Sequence, residues 1–105
     1  MSGLLLLRRR AKRDLLELAW YIAQDNARAA ERFLDAAEKA FTELLKTPGM
    51  GASRTFRNPR LKGIRMRPIP GFAKVLIFYR PLGRGIEIIR VLHGARDIPA
   101  TFENE

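Results

Sequence analysis

Two arginines on alternate residues, Arg65 and Arg67, and a second cluster formed by Arg90, His93 and Arg96 are the side chains best suited to chemistry on an anion. Guanidinium forks match the oxygens of phosphate and carboxylate, and an imidazole can carry a proton. Together the five could assemble a phosphate site. Cleaving RNA without a metal also needs a base for the 2′-hydroxyl, a cation for the crowded phosphorane and an acid for the leaving oxygen. The base is the weak point. His93 is the sole imidazole, no Asp or Glu lies between Leu44 and Ile86, and Glu87 stands at the far end of its segment from His93. Asp97 is placed to pair with Arg96 and reduce its charge. Each candidate also has a plain structural role. A histidine at a strand end commonly makes a local hydrogen bond, and an exposed strand face carries arginine for solubility. Tyr79 reads either as a sheet residue or as a phenolic acid, and Gly49-Met50-Gly51 is a loop with no phosphate-loop lysine in register.

The charge balance narrows the partner. The formal net charge is +9, and the acid-free stretch holds Lys46, Arg54, Arg57, Arg60, Lys62, Arg65, Arg67, Lys74, Arg80 and Arg84. Such an unbalanced field suits nucleic acid, an acidic protein or an anionic membrane surface. Cysteine is absent, which excludes disulfides, thiolate nucleophiles and Cys-based metal sites, and a single histidine cannot build a His-rich one. No cofactor is expected. With 105 residues, 47% of them hydrophobic, the chain is expected to fold as one domain spanning 1–105. Leu4 to Leu7 is too short for a signal-peptide core, and its arginines follow rather than precede it, so a cytoplasmic protein without a membrane span is expected.

The elements that must position these residues follow from periodicity. Leu4 to Leu7 reads as a short buried strand. Ala11 to Gln24 has helical spacing, with Ala11, Leu15, Leu18 or Ala19, and Ile22 on one stripe and Trp20 and Tyr21 widening it. Asp25-Asn26 provides the break and cap, and a second helix is expected from Ala27 to Lys46 with Phe33 and Phe41 in its core face. Arg8, Arg9, Arg10, Lys12 and Arg13 read as a solvated helix start, unfavourably placed against the helix dipole. Segment 53–62 is expected to be a loop. From Gly63 the period becomes two, with Ile64 and Met66, and Ile69 as a candidate beside them, on one side and Arg65 and Arg67 on the other. Pro70-Gly71 suits a type II turn, Val75 to Tyr79 and Ile86 to Leu92 are strands, and 81–85 is a hairpin turn. The expected architecture is α+β: a strand, an antiparallel two-helix hairpin and a three-stranded antiparallel meander. The helices pack on one face of the small sheet, and the other face carries the arginines.

This order and three local signatures resemble the RelE/ParE toxin superfamily of type II toxin–antitoxin systems. The signatures are Asp14-Leu15 followed by the run from Trp20 to Asn26, then Ile77-Phe78-Tyr79-Arg80, then Arg90 to Asp97. The strand ending Val-Leu-His-Gly-Ala-Arg-Asp is more like the ParE branch. The resemblance implies a toxin that inhibits DNA gyrase by protein–protein interaction without catalysis of its own. It also implies neutralisation by an acidic, ParD-like antitoxin, with operator DNA reached only through the antitoxin complex. On that reading Arg65, Arg67, Arg90, His93 and Arg96 contact a partner. The RelE branch implies instead a metal-independent endoribonuclease acting on ribosome-bound mRNA, with the same five residues as its cationic site. RelE-type enzymes often present a tyrosine near the C-terminus, where this chain has Phe102. A third reading is an inactive toxin-derived module that binds only its antitoxin.

Overall fold

The computed structural model describes residues 3–94 together with Ile98 and Thr101. Strand β1 (Leu4–Leu7) leads into helices α1 (Arg9–Ala23) and α2 (Ala27–Lys46), followed by the two-residue strand β2 (Ala52–Ser53) and the strands β3 (Arg65–Ile69), β4 (Phe72–Leu82) and β5 (Gly85–His93). The five strands form one sheet in the order β1-β5-β4-β3-β2. β1 runs parallel to β5, and every other pairing is antiparallel. The expected helical hairpin and meander are therefore present, and β1 adds to the meander by lying alongside the last strand.

Local chemistry explains the hairpin. The Asn26 side chain accepts a hydrogen bond from the Ala29 N–H at 3.0 Å, capping α2 with only two residues, Gln24 and Asp25, between it and the end of α1. On α1 the buried residues are Ala11, Asp14, Leu15 and Ala19, and on α2 they are Ala30, Phe33, Ala37, Ala40, Phe41 and Leu44. The small alanines let the helices lie close to each other and to the sheet. Phe33 meets Phe72 edge to face, with ring centroids 5.3 Å apart. Gly71 adopts φ 84°, the left-handed conformation that the Pro70-Gly71 turn demands. Gly85 is required for another reason: a Cβ there would collide with the Leu4 backbone, so β1 can approach β5 only at a glycine.

The sheet has a core on each side. Facing the helices are Ile69, Val75, Ile77, Tyr79, Ile86, Ile88 and Val91. On the opposite face Ile64, Phe78, Ile89, Leu92 and Ile98 form a second cluster, against which Phe56, Leu61, Met66 and Leu76 pack. The segment between β2 and β3 thus roofs the face that was expected to carry arginines. A bulge between Phe78 and Tyr79 leaves Ile89 unpaired with β4, so that Ile88 and Val91 both face the helices.

Two expectations about apolar residues are corrected. Leu4 to Leu7 is a strand, yet all four side chains are exposed, because β1 is the outermost strand and the two helices are centred elsewhere. Trp20 and Tyr21 are 67% and 69% exposed rather than core. Each step along a helix turns about 100°. Ala19 is buried against the sheet, so Trp20 and Tyr21 are carried round onto the outer surface of α1. Phe33 and Phe41 are buried as expected.

Candidate functional site

The arginines singled out by the sequence do not converge. Arg90 is only 1% exposed, and its Nε and Nη2 donate to Asp14 Oδ2 and Oδ1 at 2.7 and 3.0 Å. Asp14, itself 5% exposed, also accepts the Val91 N–H at 3.0 Å. β1 pairs with β5 only as far as Ile88, and the Arg8 N–H bonds Ile88 O at 3.1 Å. Beyond that point a carboxylate from α1 takes the place of the missing strand. Arg90 is therefore a structural partner of Asp14, and the expectation that it contacts a partner or substrate is corrected by its burial. Spacing could not reveal the pair, because its members are at opposite ends of the chain.

Arg65 and Arg67 do share a face, but it is the helix side. Their cross-strand partners Tyr79 and Ile77 belong to the core under the helices, as does Ile69 at the same parity. Arg65 Nη1 donates to Gly51 O at 2.6 Å, and Arg67 Nη2 pairs with Glu43 Oε2 of α2 at 3.1 Å. The expectation that both lie on the face away from the helices is thus overturned, and that of no neighbouring acid is overturned for Arg67: Glu43 comes from the last turns of α2, which the fold brings beside β3. Tyr79 is a sheet residue with both hydrogen-bonding functions used. Its hydroxyl donates to Pro48 O at 2.6 Å and accepts the Gly51 N–H at 2.8 Å. Glu87 is engaged by Arg8 at 2.8 Å and Arg80 at 3.9 Å. Arg96, Asp97 and Phe102 lie outside the described residues.

His93, partly buried at the end of β5, lines a groove that was not among the sites expected from the sequence. This cavity of about 730 Å³ runs between the outer surface of α1 and the end of β5. Leu16, Leu18, Trp20 and Tyr21 from the helix and Val91 and Leu92 from the strand make it predominantly apolar, while Arg9, Lys12 and Arg13 stand on its rim with Glu17. Leu16 is 55% exposed, so with Trp20 and Tyr21 it places an uncovered apolar surface beside a basic margin. The signal was present in the i, i+4 spacing of Leu16 and Trp20, a second apolar stripe offset from the core stripe.

Among the described residues no group of three or more His, Asp or Glu is arranged to hold a metal, and no helix is long and apolar enough to cross a membrane. The fold is similar to a solved chain of the chromosomal ParDE TA system from P. aeruginosa, with a TM-score of 0.68 at 20% sequence identity, covering 88% of this chain and 96% of that one. No curated protein matches the chain. The family described as ParE toxin of type II toxin-antitoxin system, parDE, matches residues 5–98. That match spans both helices and nearly all of the sheet, and the chain belongs to the ParE toxin family of type II toxin–antitoxin systems.

Proposed function

We propose that the protein is a cytoplasmic toxin that inhibits DNA gyrase by protein–protein contact and is neutralised by a cognate acidic antitoxin. Family membership supports the toxin and antitoxin parts. The observation that favours contact over catalysis is the use made of the arginines: Arg90, Arg67 and Arg65 are each engaged by Asp14, Glu43 or a backbone carbonyl. A phosphoryl-transfer site requires such cations free and aimed at one point. The α1 groove is the natural seat for the antitoxin. An amphipathic segment would lay its apolar residues on Leu16, Trp20 and Tyr21 and its acids against Arg9, Lys12 and Arg13. His93 and Arg96 remain partner-contact candidates in this reading, His93 through the groove. Operator DNA would be reached through the antitoxin complex.

The test pairs gyrase supercoiling with primer extension on translated message, each with and without the cognate antitoxin. Inhibition of supercoiling that the antitoxin relieves, with message left intact, is the expected result. Cut message with unaffected supercoiling would overturn the proposal in favour of a ribonuclease.

A further inference from the structure

Four cations of the acid-free stretch, Arg54, Arg57, Arg60 and Lys62, gather on the segment between β2 and β3. Its backbone is held firmly. Arg80 of β4 donates through Nη2 to Arg60 O at 2.6 Å and through Nε to Lys62 O at 3.2 Å. The Arg54 N–H bonds Ile64 O at 3.0 Å, and the Asn58 side chain accepts the Arg60 N–H at 2.9 Å. Phe56 and Leu61 anchor the segment to the second core. Between its two limbs lies a concavity of about 420 Å³, into which Arg54, Lys62, Ser53, Thr55 and Asn58 bring charge and hydrogen-bonding groups beside Phe56. Arg57 and Arg60 are exposed on the same segment. Among the described residues, none of Arg54, Arg57, Arg60 and Lys62 has a carboxylate within ion-pair distance.

We propose that this concavity is a phosphate-binding site through which the protein itself holds the backbone of duplex DNA. Three features favour a phosphodiester over an acidic protein segment. The lining joins its cations to the Ser53 and Thr55 hydroxyls and the Asn58 amide, which the α1 groove lacks, and these are groups that contact DNA phosphates. The cations recur every two or three residues along the segment, at Arg54, Arg57, Arg60 and Lys62, so that more than one phosphate can be met. The nearest carboxylates in sequence are Glu43 and Glu87, and both are engaged by arginines outside the segment rather than by its own cations. Because Arg80 fixes the carbonyls of Arg60 and Lys62, the segment need not be ordered when the ligand arrives. This binding is separate from the protein–protein action proposed above, and either can fail without the other.

The experiment measures fluorescence anisotropy of a labelled mixed-sequence duplex of about 20 base pairs, a length able to cover the site several times over. The antitoxin-free wild-type protein is compared with Arg54→Gln/Lys62→Gln and with a control of equal charge change on α2, Arg28→Gln/Arg32→Gln. Lys62, Arg28 and Arg32 are exposed and Arg54 is half-buried beside Met66, so a thermal melt verifies that each variant folds. Wild type should bind with an affinity that falls as salt rises. The loop variant should lose at least about tenfold in affinity and flatten the log–log salt slope by about two, one for each phosphate that is no longer neutralised. The control should change affinity less than about threefold, the effect of net charge alone. Absence of wild-type binding at low salt, or an equal loss in the control, overturns the proposal. A parallel titration with labelled poly-glutamate discriminates the alternative. If it binds and depends on Arg54 and Lys62 while the duplex does not, the site takes acidic protein and the DNA assignment is wrong.

Discussion

Replacing Asp14 with alanine removes one carboxylate and strands two buried donors. The Arg90 guanidinium is 1% exposed and loses both of its bonds to Asp14, and the Val91 N–H loses the carboxylate that stands in for a strand on that edge. Breaking a buried ion pair by deleting one partner costs about 3–5 kcal/mol, a large part of the roughly 5–15 kcal/mol that stabilises a domain. At about 4–8 °C per kcal/mol for a domain near this size, the midpoint should fall by roughly 12–40 °C. Asp14→Asn keeps an acceptor for Val91 and should be milder. The double variant Asp14→Leu/Arg90→Met removes both charges, so it should recover most of the loss. A deficit of about 1–3 kcal/mol should remain from the unsatisfied Val91 N–H. Urea denaturation followed by far-UV circular dichroism is the appropriate assay, because the only tryptophan, Trp20, is largely exposed and would report unfolding poorly. A cost below about 1 kcal/mol for Asp14→Ala, or a double variant no more stable than Asp14→Ala, would refute this account of the buried pair.

Other outcomes follow from the same structure. Phe33→Ala should cost about 3–5 kcal/mol in a denaturant titration, because Phe33 is fully buried, whereas Trp20→Ala should stay within about 0.5 kcal/mol of wild type. Leu16→Asp combined with Trp20→Ala should weaken antitoxin binding by at least about tenfold in calorimetry while leaving the melting curve near wild type; unchanged affinity would remove the α1 groove as the antitoxin seat. Antitoxin association should slow as ionic strength rises, since Arg9, Lys12 and Arg13 flank that groove, and a flat dependence in stopped-flow traces would argue against electrostatic steering. His93→Gln should leave gyrase inhibition largely intact in a supercoiling assay, whereas loss of an acid–base group from a ribonuclease would cost about 10²–10⁴-fold.

The elements were legible wherever one periodicity persisted. The stripe of Ala11, Leu15, Ala19 and Ile22 marked α1, the Asn26 cap marked the start of α2, and Pro70-Gly71 marked the turn into β4. Alternation in β3 separated Arg65 and Arg67 from Ile64 and Met66, but it could not say which side faces the helices. That depends on how α2 is placed, and Glu43 meets Arg67 only after packing. Composition likewise made Leu4 to Leu7 look buried, since burial requires cover on both faces and an edge strand has little. The Asp14–Arg90 pair left no local trace, because its spacing is set by the whole topology. Of the candidate site, His93 kept a place beside the groove, while the exposed stripe of Leu16, Trp20 and Tyr21 was obscured by the habit of assigning large aromatics to the interior.

The placement of β5 bears on how the protein is made. β5 lies between β1 and β4, so Leu4 pairs with Gly85 and Asp14 with Arg90 only once β5 has been made. During synthesis β1 and α1 leave the ribosome long before their partners, and loops this long must close before those contacts stabilise anything. A shortened chain lacking residues 85–93 would leave β1 without a neighbour, Asp14 without a counter-ion and the helices over half a sheet. The native fold therefore waits for β5 to be made, and products interrupted before it should be unfolded substrates for proteolysis rather than partial poisons.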